Sequence, residues 1–266
     1  MRARAALALG NYSDASVIPS LLPLLKDKDD EVRSAACIAI AKFRDSSTFD
    51  DIANLLLDDL KIEVRQSAAR ALGETRHTAA LPYLLEALHD SFWWYEREQA
   101  ARDLLAAIQK MGQTTVDPLI EALSDREGTV RKFAASLLGE LGDARAIEPL
   151  GMALYDLHHE VGEAAAESLA RFGGASFEVL KEALAHPEAG IREHAVAALG
   201  KIQDARVAPA LIELLRDPDR IVQKQTILAL SRLQDSRAES ALKEIANDRS
   251  DREFSTLAKQ LLSNSS

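Results

Sequence analysis

The chain has 266 residues, 47% of them hydrophobic and 5% aromatic, with a formal net charge of −10. There is ample material for a core, much of it helix-favouring Ala and Leu, while the negative balance excludes a general affinity for phosphate backbones, which needs clustered Lys and Arg. The single cysteine, Cys37, excludes an intramolecular disulfide, and no apolar run reaches the ~18–20 residues that a membrane helix requires.

The first predicted element is a helix within residues 1–12. Met1–Gly10 looks slightly like a signal peptide, but its apolar run is short and each position fits a pattern that recurs downstream. A cytoplasmic protein is the expectation. The pattern is plainest at Val64-Arg65-Gln66-Ser67-Ala68-Ala69-Arg70-Ala71-Leu72-Gly73. Its arginine slot returns at Arg2, Arg33, Arg65, Arg97, Arg131, Gly162, Arg192 and Gln223, at intervals of 30 to 34 residues. Three slots on stand small residues such as Ala36, Ala68 and Ala134; seven slots on stands an aliphatic residue each time, from Leu9 and Ile40 to Leu199 and Leu230. A fixed period of this length is the mark of a solenoid of stacked helical units.

Each period holds two helices. Helix A is seen in Ala144–Leu154, and helix B carries the arginine slot. Apolar residues three and four apart give each helix one buried stripe. Asp14, Asp143, Asp204 and Asp235 precede A helices, where a carboxylate caps free N–H groups. Prolines recur early in helix A, at Pro19, Pro82, Pro118, Pro149 and Pro209, tolerable within a first turn and bending the helix if deeper. In helix B the small pair lets neighbouring helices approach and the aliphatic residue fills the gap. Cys37 shares a slot with Ala, Val and Ile, so it reads as a small core residue.

Asp27, Asp59, Asp125, Asp156 and Asp217 lie six residues before their anchors, and Asp90 seven before Arg97. This sets a carboxylate in each A–B turn, near the next unit's arginine. A ladder of charge-assisted Asp–Arg bonds between repeats is expected, with Arg33, Arg65, Arg97, Arg131 and Arg192 as structural rungs and not ligand contacts.

The run Asp…Val-Arg-x-x-Ala-Ala-x-x-Leu-Gly and the opening Asp-Ala-x-x-x-x-Pro-Leu of helix A resemble HEAT repeats, in the short HEAT-like form of the phycobilin lyases. The resemblance covers about residues 1–262. It implies an all-α, right-handed α-solenoid with no internal domain boundary: an N-terminal half-repeat at 1–12, regular repeats at 13–235, a degenerate cap at 236–262 and a frayed tail at 263–266. The unpaired first helix implies either an earlier native start or an open face covered by a partner or a second copy.

Repeat four departs from the pattern. One extra residue precedes its helix B and about one extra turn follows, since Arg97 to Pro118 spans 21 residues where 16 to 18 is usual. Just upstream sit Phe92, Trp93, Trp94 and Tyr95, including both tryptophans, and Glu96 stands where Val or Ile is usual. Two readings are open. In one, Trp94 or Tyr95 fills the hole left by the missing valine; in the other, a tryptophan faces outward as a binding anchor.

In HEAT-like superhelices the B helices usually line the concave face. By that likeness Gln66, Arg70, Glu98, Gln99, Arg102, Lys132, Ser136, Glu163, Glu167, Glu193, His194, Lys224 and Gln225 form a mixed polar strip, with a positive centre at Arg70, Arg102 and Lys132. Beside the aromatics, that centre would hold an acidic segment of a partner protein or an anionic cofactor. His158-His159-Glu160 slightly resembles the His–Glu pairs of deoxyhypusine hydroxylase, an iron enzyme of HEAT-like repeats, but that family needs several such pairs and no converging ligands are evident. HEAT-like DNA glycosylases have a strongly basic concave face, which an acidic chain lacks. No phosphate loop or nucleophile–base constellation is present. The expectation is a non-catalytic scaffold or adaptor with another protein as partner, no metal and no cofactor. The alternative is a bilin lyase, or a phycobilisome assembly or degradation factor, binding a tetrapyrrole and a phycobiliprotein.

Overall fold

A computed structural model describes residues 1–12, 14–90 and 98–264, with only the backbone described at 98–101. The described residues are helical with no strand. They fall into two compact units, Met1–Pro118 and Leu119–Ser266. The solenoid expected over residues 1–266 without an internal boundary is thus grouped in two, with the division just after the lengthened repeat.

In the first unit, α1 (Arg2–Leu9), α3 (Asp30–Ala41), α5 (Ile62–Thr75) and α7 (Glu98–Lys110) are B helices, and each packs on the next. The A helices are α2 (Ile18–Leu21), α4 (Phe49–Asp58) and α6 (Leu81–Ala87). Helix α7 runs further past its anchor slot (97 to 110) than α5 does (65 to 75), which is the expected extra turn. Helix α8 (Val116–Ala122) straddles the unit boundary.

In the second unit the B helices are α9 (Gly128–Leu141), α11 (His159–Arg171), α13 (Ala189–Leu199), α15 (Arg220–Leu230) and α17 (Arg252–Asn264). The A helices are α10 (Ile147–Ala153), α12 (Phe177–Ala183), α14 (Val207–Glu213) and α16 (Ser236–Asn247). Here too consecutive B helices pack in series, and each A helix packs on the B helix that follows it.

The local causes match the sequence. Carboxylates of Asp14, Asp45, Asp143, Asp204 and Asp235 accept the backbone N–H two residues on, and His77 Nδ1 takes that role before α6. The prolines sit in first turns, so their missing donors leave no gap and no kink is required. Ile40, Leu72, Leu104, Leu138, Leu169, Leu199 and Leu230 are buried, as are Ala36, Ala68, Ala134, Ala165 and Ala195. The glycine after the aliphatic slot marks the closest approach: a Cβ on Gly73 would stand 2.5 Å from the Ala107 carbonyl oxygen, and one on Gly200 would stand 2.8 Å from the Ala229 Cα. Cys37 is wholly buried, and burial pushes its thiol well above the ordinary range.

The C-terminal cap is more regular than expected. Helix α17 buries Phe254 and Ala258, Ser255 Oγ donates to the Ala246 carbonyl at 2.7 Å, and Arg220 lies over the Phe254 ring at 4.2 Å. The predicted frayed tail is corrected in part. Ser263 and Asn264 belong to α17, where Ser263 Oγ donates to the Gln260 carbonyl at 2.8 Å; residues 265–266 lie outside the described range.

Candidate functional site: the faces of the B helices

One edge of each unit is taken by the ladder. Arg33 donates from Nε and Nη2 to Asp59 at 2.7 and 2.9 Å, and from Nη1 to the Asp27 carbonyl at 2.9 Å. Arg2 holds Asp27 the same way at 2.8 and 2.9 Å. In the second unit Arg131 holds Asp156 at 2.6 and 2.8 Å, and Arg192 holds Asp217 at 2.8 and 2.7 Å. Each aspartate also accepts the N–H two residues on, as Asp59 does from Lys61 and Asp217 from Asp219. The side chain is therefore short for a reason: it shapes its own turn while receiving an arginine from the preceding hairpin.

The sense of the ladder corrects the expectation. Among the described rungs, Asp27, Asp59, Asp90, Asp156 and Asp217 pair with the previous unit's arginine, not the next one's. The arginine reaches forward along the stack, and its third arm returns to the carbonyl of its own A–B turn. The Arg65–Asp90 rung is formed by Nη1 at 2.5 Å while Nε turns to the Asp59 carbonyl. Arg97 lies outside the described residues, and Asp125 accepts the Glu127 N–H at 2.8 Å.

These bonds set the carboxylates' acidity. The Arg131 guanidinium, against a smaller opposing effect of burial, holds Asp156 below the usual aspartate range. At Asp59 and Asp217 burial is the largest influence and acts upward, but the arginine bond and the turn N–H together outweigh it.

Of the polar strip that the pattern predicts, Gln66, Arg70, Arg102, Lys132, Ser136, Glu163, Glu167, Glu193, Lys224 and Gln225 are exposed or half-exposed, whereas His194 is buried because it packs between neighbouring B helices, and the side chains of Glu98 and Gln99 lie outside the described residues. Members of the strip bridge neighbouring helices. In the first unit Gln66 Nε2 donates to Asp103 at 2.7 Å and Lys110 pairs with Glu74 at 3.1 Å; in the second, Lys132 pairs with Glu160 at 2.7 Å, Lys201 with Glu167 at 3.4 Å and Gln225 with Glu193 at 3.1 Å. Arg70 and Arg102 are exposed in the first unit. Arg70 borders a small depression of about 100 Å³ shared with Gln66, Asp103 and Lys110. Lys132 stands in the second unit, tied to Glu160, while Arg70 and Arg102 belong to the first. Trp93, Trp94 and Tyr95 lie outside the described residues, as does Phe92, and of Glu98 only the backbone is described.

Two arrangements were not anticipated from sequence. One is a second set of arginines at the A helices. Arg206 chelates its own capping Asp204 at 3.0 and 2.9 Å and donates to the Gly174 carbonyl at 2.9 Å; Arg237 does the same with Asp235 and the Ala205 carbonyl at 2.7 Å. Arg206 also lies over the Phe177 ring at 4.4 Å. Its bond and the turn N–H draw the Asp204 carboxyl down to about 2. The signal was present as Asp-Ala-Arg at 204–206 and Asp-Ser-Arg at 235–237, of which the aspartate alone was read. These arginines border a groove of about 770 Å³ on the A-helix side, lined by Phe177, Lys181, Leu184 and Pro209.

The other is a histidine pair. His159 of α11 and His194 of α13 bring their Nε2 atoms within 3.1 Å. The two are 35 residues apart, so only the stacking of consecutive B helices joins them. Burial, and then the neighbouring His159, hold His194 below the usual histidine range. Among the described residues no group of three or more His, Cys, Asp or Glu side chains is placed to hold a metal, and no helix is long and apolar enough to cross a membrane.

Comparison with solved structures places the architecture. Kap121p bound to the SUMO protease Ulp1p is similar over 94% of this chain and 33% of its own, at 15% identity and a TM-score of 0.62. The chain thus spans about a third of that protein, and the likeness concerns the fold. The complex of CpcE and CpcF of phycocyanin lyase from Nostoc sp. PCC7120 is similar over 57% of this chain and 99% of its own, at 23% identity and a TM-score of 0.46. Human deoxyhypusine hydroxylase matches over 93% and 95% at 18% identity, with a TM-score of 0.39. Curated proteins gave no match. The sequence model for HEAT repeats matches residues 1–67, 30–106, 94–170, 116–193 and 177–263, and the chain belongs to the HEAT-repeat family, folded as an α-solenoid.

Proposed function

We propose that this protein is a non-catalytic scaffold or adaptor that binds another protein along the exposed faces of its B helices. One observation carries the reading. The seams and one edge of the stack are committed to packing and to the Asp–Arg ladder, while successive B helices hold long polar side chains in register on a rigid support. Such a face offers extended complementarity and places side chains at fixed spacing, as repeat solenoids do. Kap121p, of the same fold, is a protein bound to another protein. The one cysteine is buried with its thiol pushed up, which supports a packing role and not covalent chemistry.

Arg70 and Arg102 give the first unit a cationic spot for an acidic partner segment. The runner-up rests on the repeat subtype: a bilin lyase or phycobilisome assembly factor would bind a tetrapyrrole. Purification from the native source, with mass spectrometry of co-eluting chains and an absorbance spectrum, separates the two. A stoichiometric protein partner without visible absorbance supports the scaffold. A bound tetrapyrrole supports the lyase reading. A chain that elutes alone and colourless from its native source contradicts both.

A further inference from the structure

Two imidazoles meet where the ladder lacks a rung. In the second unit Arg131 ties α9 to the turn before α11, and Arg192 ties α13 to the turn before α15. Between them the arginine slot is Gly162 and the matching aspartate slot is His186, so both halves of the rung are replaced together. His186 keeps the turn alone, where its Nδ1 accepts the Glu188 N–H at 3.1 Å. At this seam His159, exposed in the first turn of α11, faces His194 in the middle of α13. Their Nε2 atoms are 3.1 Å apart, and the ring centroids are 4.5 Å apart at 68°. Gly162 makes the room, because a Cβ there would stand 3.0 Å from His194 Nδ1.

Such a contact depends on how many protons it holds. Two neutral rings, or one neutral and one charged, share a single Nε2–H···Nε2 hydrogen bond. When both rings are charged every nitrogen carries a proton, so two donors and two positive charges face each other across the seam. His194 is badly placed to escape this. It is 8% exposed and its Nδ1 has no hydrogen-bond partner, so a proton there is left without an acceptor.

The neighbouring charges do not cancel the effect. Burial, and then the His159 ring, hold His194 below the usual histidine range against smaller upward pulls from Glu193 of its own helix and Glu163 of α11. Gln225 of α15 donates to Glu193, while Glu167 is paired with Lys201 and Glu160 with Lys132 of α9. Helix α12 also packs on α13, but it supplies none of the described residues around the depression that the pair borders.

We propose that the seam between α11 and α13 is an acid-released joint: the imidazole pair holds the two helices together while it carries at most one positive charge, and uptake of the second proton parts them. The ordinary histidine value is about 6.5, and His194 lies below its usual range in the folded chain, so the parted state binds more protons. Closure is therefore whole above about pH 6.5 and is lost as pH falls through the lower folded value. The flanking rungs outlast it, because Asp156 and Asp217 keep their charge to below the ordinary aspartate value of about 3.9. Opening is confined to the one seam that has no rung.

The test is hydrogen exchange of the full chain at pH 7 and pH 5, read by mass spectrometry and corrected for the intrinsic pH dependence of amide exchange. Each net proton taken up multiplies the open population about tenfold per pH unit. Protection of wild-type α11 and α13 is expected to fall at least ~10-fold between the two pH values, while α5 and α17 keep theirs. His159→Gln leaves a polar side chain at an exposed position that cannot take up the second charge, and its α11 and α13 are expected to be equally protected at both pH values. His158→Gln, next to the pair and outside it, behaves as the wild type. Wild-type protection that is equal at pH 7 and pH 5, a fall shared by α5, or a fall of the same size in His159→Gln overturns the proposal.

Discussion

Arg192 and Asp217 meet fork to fork across two hairpins, with side chains 10% and 4% exposed and both parallel hydrogen bonds under 3 Å. Removing one partner strands a desolvated charge. Arg192→Ala is expected to cost about 3–5 kcal/mol. Arg2 makes the same bidentate contact with Asp27, but its side chain is 53% exposed, and Arg2→Ala is expected to cost clearly less than Arg192→Ala, because solvent screens an exposed pair. Urea unfolding of the two variants decides the point; equal losses would show that burial does not grade the ladder.

The ladder also sets the acid limit. Asp59, Asp156 and Asp217 titrate lower in the folded chain than in the unfolded one. Their contribution is whole above the ordinary aspartate value of about 3.9 and is lost as pH falls through the depressed folded values. Stability measured in urea from pH 7 to pH 3 should therefore drop at the acid end. Asp156→Asn should start lower at pH 7 and fall less. A parallel decline in both proteins would mean that Asp156 carries none of the acid sensitivity.

The seams between B helices admit no added volume. A Cβ on Gly73 meets the carbonyl oxygen and Cα of Ala107, which are backbone and cannot rotate away. Gly73→Ala should cost about 1–3 kcal/mol through separation of α5 from α7. Leu138→Asp and Ala135→Glu, both wholly buried sites, should each cost at least ~2–5 kcal/mol. Thermal melts unchanged by these substitutions would place the repeat register elsewhere.

The fold was legible because one slot repeats: arginine, then small residues, then Leu or Ile, at a spacing that only stacked helical hairpins accommodate. The aspartates of the ladder were legible by the same argument, since Asp27 and Asp59 stand at one distance from their anchors. The direction of pairing was not, because spacing along the chain does not say whether Asp59 faces Arg33 or a later arginine. That depends on how far a guanidinium reaches across the seam. His159 and His194 were hidden for a related reason: in sequence they look like an isolated His-Glu and an isolated Glu-His, and adjacency comes from packing two B helices side by side. Lys132 was grouped with Arg70 and Arg102 by slot alone, and slot did not reveal its pairing with Glu160. The reading of Trp93, Trp94 and Tyr95 lies outside the described residues.

The central claim is that the B-helix faces hold a protein partner. The direct measurement is affinity capture of the native partner by the wild type, by Arg70→Glu with Arg102→Glu, and by Lys181→Glu with Arg206→Glu on the A-helix side, each confirmed folded by its melting curve. The account predicts that the partner is lost at least ~10-fold from the first double variant and kept by the second. Capture undiminished by the Arg70 and Arg102 reversals, and lost with those at Lys181 and Arg206, would contradict it.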